Sequence, residues 1–168
     1  MIDWEQKALK DGVWIYPIEY QKAMDRLKQA KGDTVIRLIV AANLVKGDPV
    51  LTELEMHPNR VVYQENEFVY QKIYNVPIDG SNSEMLISDF LRNVNMTAIN
   101  NGILPNPLTG TVGVINGNQI YAIEKALAEN RGKDVLISAF AAADTEVLGP
   151  LRLHIYLKNE TEQEINHE

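Results

Sequence analysis

The chain has no cysteine, and that absence removes a disulfide-stapled scaffold, a thiolate zinc site and a cysteine nucleophile together. Histidine is scarce as well, with only His57, His154 and His167 in 168 residues. No phosphate-cradling G-x-G-x-x-G or G-x-x-x-x-G-K-[ST] run and no G-x-S-x-G elbow occurs. Long hydrophobic runs are missing too. The most apolar stretch, Val35 to Val45, is interrupted by Arg37 and Asn43 and falls far short of the ~20 residues of a membrane-spanning helix. Met1-Ile2-Asp3-Trp4-Glu5-Gln6-Lys7 lacks a basic segment followed by an apolar one, so the expectation is a soluble, cytoplasmic protein without a signal peptide.

What is present is an ordinary globular composition, 45% hydrophobic, enough for one core. The formal charge of −7 is unevenly placed, because residues 159–168 hold four glutamates and no lysine or arginine, leaving about −3 for the rest. The acidic end is expected to be a disordered tail after a single globular domain over residues 1–158. If it is an electrostatic docking arm, its deletion weakens association with a basic partner in a salt-dependent way. No basic surplus is available for a phosphate backbone, so nucleic acid is not the expected partner.

The periodicities predict an α+β domain: a mainly antiparallel, or mixed, sheet of five to six strands packed on two to three helices. Pro17 suits a first helical turn, and Tyr20, Ala23, Met24, Leu27 and Ala30 recur at helical spacing up to Gly32. Over Asp33 to Ala42 the β-branched Thr34, Val35, Ile36, Ile39 and Val40 favour a strand, although Asp33 and Gly47 could frame a helix. Val50 to Met56, Arg60 to Gln64 and Glu67 to Val76 read as three neighbouring antiparallel strands, with His57-Pro58-Asn59 and Glu65-Asn66 as turns. Ser81 with Glu84 has capping-box spacing for a helix through Ile99, whose stripe is Leu86, Phe90, Leu91, Val94 and Ala98. Leu104 to Gly110, with two prolines, is the clearest loop and the place for any domain boundary. Strand Thr111 to Ile115, helix Ile120 to Asn130 and strand Asp134 to Phe140 follow, as a parallel crossover or an antiparallel split arrangement. A last strand, Leu151 to Leu157, alternates inward leucines and isoleucine with outward Arg152, His154 and Tyr156.

Few groups could carry chemistry. Along a strand, Glu53, Glu55 and His57 share a face, and two carboxylates with an imidazole could hold a divalent metal if another element added ligands. The plainer explanation is a solvated sheet face. Phe68, Tyr70, Lys72 and Tyr74 alternate likewise, three rings and a cation on one expected face, an interaction surface that could also stack bases. Gly113, Asn116, Gly117 and Asn118 at a strand-to-helix junction could receive an anion, or could form a tight turn with Gly117 left-handed. His154 has no nucleophile beside it in any motif, and Asp144 with Glu146 is a pair of loop acids.

This poverty of catalytic groups leans away from an enzyme. The expectation is a structural or protein-interaction subunit, without cofactor, that acts through sheet edges and surface faces and self-associates or joins a larger protein assembly. The other reading is a small metal-dependent enzyme at Glu53, Glu55 and His57.

Overall fold

A computed structural model describes residues 13–42 and 50–159. The class is α+β, with three helices and nine strands in three sheets among the described residues. By its contacts the chain divides into two compact units, Met1–Arg60 and Val61–Glu168. The division follows the segment that reads as a turn, and the proline-containing loop 104–110 lies inside the second unit.

In the first unit, β1 (Val13–Ile15) leads into helix α1 (Pro17–Gln29), with Pro17 in the first turn. Strand β2 (Thr34–Ala42) then pairs antiparallel with β3 (Val50–Pro58), and β1 joins the other side of β3 in parallel, giving the order β1-β3-β2. The β-branched residues of β2 thus decide in favour of strand. The Asp33 carbonyl accepts a hydrogen bond from the Asn59 N–H at 2.8 Å, so Asp33 extends the ladder instead of capping a helix.

The second unit is a four-stranded sheet, order β5-β7-β9-β6, beside a small two-stranded one. Its strands are β5 (Phe68–Asn75), β6 (Gly113–Val114), β7 (Asp134–Ala141) and β9 (Leu151–Asn159), while β4 (Val61–Tyr63) pairs with β8 (Thr145–Glu146). The three strands expected to neighbour one another between residues 50 and 76 therefore fall in three different sheets, and the expected single sheet is divided accordingly. Long-range pairing overrides the short turns: β7, with Val135, Ile137, Ala139 and Ala141 all buried, takes β5 on one side and β9 on the other. Strand β6 pairs parallel to β9, which in turn runs antiparallel to β7, so the strand-helix-strand segment is the antiparallel split arrangement with β9 between its strands.

Helix α2 (Ser83–Asn101) and helix α3 (Gly117–Glu129) follow β5 and β6. The first begins two residues after Ser81, because the Ser81 N–H and hydroxyl both donate to Asp79 Oδ1, at 2.9 and 2.7 Å, and are spent in that turn. Its buried stripe is Ile87, Phe90, Val94 and Ala98, with Leu86 and Leu91 partly covered. It ends at Gly102, whose φ of 112° is open to glycine at no steric cost. These helix stripes meet Val135, Ile137, Ala139, Leu151 and Leu153 in one apolar cluster, which covers one face of the sheet.

Candidate functional site

The sheet of the second unit has a second face. Along β7 the alternation that buries Val135, Ile137 and Ala139 leaves Leu136, Ser138 and Phe140 pointing the other way, only partly covered. Strand β9 does the same with Arg152, His154, Tyr156 and Lys158, all exposed. Cross-strand register assembles these into rows: Phe68 with Phe140 and His154, Gln71 with Ser138 and Tyr156, Ile73 with Leu136 and Lys158.

A bulge makes the first row possible. The register between β5 and β7 shifts between Phe68 and Tyr70, so that Phe68 stands opposite Phe140 while Tyr70 stands opposite the buried Ala139. Phe68 is consequently on the open face and Tyr70, Lys72 and Tyr74 are on the face covered by α2. The expected stripe of four is split: the strict alternation assumed for it fails at Val69, which is buried.

The rings on the open face interlock. Phe68 and Phe140 meet edge to face with centroids 5.7 Å apart, Phe140 and Tyr156 meet at 5.8 Å, and His154 lies 6.5 Å from Tyr156. Such contacts orient the rings firmly. Phe68 is nevertheless 48% exposed, Ile73 47% and Tyr156 58%, so the sheet presents an apolar, aromatic patch to solvent. Arg152, His154 and Lys158 rim it along β9.

The other three stripe residues do structural work. Tyr70 and Tyr74 pack on Phe90 of α2 with centroids at 5.7 and 6.4 Å. Asp89 of that helix accepts hydrogen bonds from Lys72 Nζ (2.8 Å), the Tyr74 hydroxyl (2.8 Å) and Arg92 Nη2 (2.7 Å). Donation from Lys72, Tyr74 and Arg92 holds the Asp89 carboxyl well below the usual carboxylate range. Burial, and then the Asp89 carboxylate beside it, pushes the Tyr74 phenol well above its ordinary value. The cluster clamps β5 to α2.

No family model, curated protein or solved structure matches this chain.

In the first unit, Glu53, Glu55 and His57 do share one face of β3, as alternation requires. His57 Nε2 lies 3.4 Å from Glu55 Oε2, while Glu53 is exposed. Among the described residues no three His, Asp or Glu side chains gather where a metal ion could sit. Arg37 of β2 is the cross-strand partner of Glu55, and Glu19, Lys22 and Arg26 of α1 line a crevice of about 240 Å³ with Glu53 and Glu55. Both signs of charge thus line the crevice, and its three acids do not converge as a metal site requires.

The remaining candidates are tied into the fold. Asn116 caps α3: its Oδ1 accepts the Gln119 N–H at 2.9 Å and Gln119 Oε1 accepts the Asn116 N–H at 3.1 Å, so this capping box occupies the helix start. Gly117 is the first helical residue, not a left-handed turn. Asp144 Oδ1 accepts the Glu65 N–H at 2.8 Å, joining two loops, and Glu146 belongs to β8. Sequence reasoning missed Phe140, the ring between Phe68 and Tyr156, although its two-residue spacing from Ser138 and Leu136 was a readable signal. It missed Asp89 too, for which a helix-surface acid gives none.

Proposed function

We propose that this protein is a non-enzymatic interaction subunit that binds another protein through the open face of the β5-β7-β9-β6 sheet and works as part of a protein assembly. The observation that carries the reading is the chain of ring contacts from exposed Phe68 through partly covered Phe140 to exposed Tyr156, on a sheet whose other face already holds the core. Aromatic and aliphatic side chains at a patch centre with polar groups at its rim are the composition of a protein interface. The outward cations on β9, Arg152 and Lys158, favour a partner whose own apolar patch carries acidic groups at its edge. A protein fits this surface better than nucleic acid. Ile73 and Leu136 offer nothing for a base to stack on, the rings meet one another edge to face, and a chain of charge −7 has no electrostatic funnel.

Gel filtration of the tagged chain in extract of its native cells tests this. Wild type is expected in a complex well above its own mass of 19.0 kDa, and the Phe68→Glu/Tyr156→Glu double variant is expected to leave that complex. Both substitutions are at exposed positions, so the variant should keep its circular dichroism spectrum. Coelution of variant and wild type, or wild type migrating at its own mass, would contradict the proposal.

A further inference from the structure

Strand β2 is an edge among the described residues. It pairs with β3 on one side, and among the described residues no strand pairs with its other side. Proteins commonly blunt such an edge with prolines, lysines, central bulges or short length. This one is nine residues long, Thr34-Val-Ile-Arg-Leu-Ile-Val-Ala-Ala42, with no proline or lysine, and its only register irregularity lies between Val40 and Ala42 at one end. On one face it presents Ile36, Leu38 and Val40, exposed by 50%, 57% and 52%. Cross-strand register sets them beside Met56, Leu54 and Thr52 of β3. A strand added beside β2 would cover them further.

We infer that this neighbour is a second copy of the chain, the two β2 strands pairing antiparallel about a two-fold axis at Leu38 to join two three-stranded sheets into one of six. A two-fold antiparallel seam must be centred on a residue, since paired residues share a face and therefore a parity. An axis at Leu38 pairs Ile36 through Val40 of the two copies, inside the regular part of the ladder, whereas an axis at Arg37 would set Arg37 against Arg37 of the second copy. The axis at Leu38 sets Leu38 opposite Leu38 of the second copy and Ile36 opposite Val40 of the second copy, an unbroken apolar strip. On the opposite face Arg37 meets Ile39 of the second copy, and each row reads Glu53, Ile39, then Arg37 and Glu55 of the second copy. The single cation of the strand keeps its own cross-strand Glu55 and meets an uncharged side chain across the seam, so no like charges stand directly opposite one another there. The apolar centre of β2 is thus its own complement across this axis, Leu38 meeting itself and Ile36 meeting Val40 of the second copy.

The seam belongs to the first unit and the aromatic face to the second, so either can fail without the other. The cysteine-free sequence makes the test direct. In the proposed register the Cα atoms at position 38 of the two copies lie about 4.5 to 5.5 Å apart, within disulfide range. Under mild oxidation Leu38→Cys is expected to form a disulfide dimer at least about tenfold faster than Met96→Cys, an equally accessible control on α2, because pairing raises the effective thiol concentration. An equimolar mixture of Ile36→Cys and Val40→Cys should cross-link faster than either variant alone. Wild type should sediment as a dimer and Leu38→Lys as a monomer with an unchanged circular dichroism spectrum. Equal rates for Leu38→Cys and Met96→Cys, or a wild type that sediments as a monomer, would overturn the inference. A folded Leu38→Lys variant that remains dimeric would do the same.

Discussion

Asp89 shows how much one side chain can set. It sits on a helix surface, and no local rule distinguishes it from Glu84 or Glu124. Yet it gathers Lys72, Tyr74 and Arg92, and these donors hold its carboxyl ionised to unusually low pH. A depressed folded-state value means that the clamp stabilises fully above the unfolded carboxyl value of about 3.9 and is lost as pH falls through the folded value. Thermal unfolding followed against pH should therefore show a steep acid decline in wild type. Asp89→Asn should start from a lower midpoint at neutral pH and decline less below about pH 4. Parallel acid declines in the two proteins would show that the clamp is not linked to folding. Such a residue cannot be read from sequence, because its three donors are contributed by β5 and by the next turn of its own helix.

At the scale of elements, what was legible was whatever followed a strict period. The last strand alternates as its sequence says, Leu151 and Leu153 in, Arg152, His154 and Tyr156 out. The stripe of α2 was readable apart from Ile87, which lies beside Leu86 on the helix and takes the deeper position. Where the period breaks, sequence reasoning broke with it. One bulged residue, Val69, moved Phe68 to the opposite face from Tyr70, and with it moved the candidate interaction surface. The capping box of Asn116 and Gln119 was written in the chain at the spacing that Ser81 and Glu84 also show, and only the former forms. The α2-to-β5 seam is the joint on which the open face depends. Phe90, 1% exposed and touching Tyr70 and Tyr74, should cost roughly 3–5 kcal/mol on truncation to alanine, measurable by urea denaturation. A loss below about 1 kcal/mol would mean that the seam is held chiefly by the Asp89 clamp.

For the molecule as a whole, the α+β class followed from composition and pattern, while the distribution of strands among sheets did not. Strands β3, β4 and β5 are consecutive and separated by turns, and a chain reader pairs them; instead β3 takes the preceding β2 and β1, while β4 and β5 take β8 and β7, partners far along the chain that spacing does not encode. No described helix is long and apolar enough to cross a membrane. Among the exposed large side chains, Phe68, Ile73 and Tyr156 share one β surface of the second unit, and Ile36, Leu38 and Val40 share one of the first. The proposal rests on the first of these surfaces. Its most direct test is a photo-reactive benzoylphenylalanine placed at Tyr156, on the open face, and in a separate protein at Tyr121, somewhat more exposed on α3. Irradiation in the native cells should join the Tyr156 probe, and not the Tyr121 probe, to one protein of defined mass, and the adduct should vanish when Phe68→Glu is added. Equal labelling from both positions, or none from Tyr156, would contradict the assignment of the open sheet face as the binding surface.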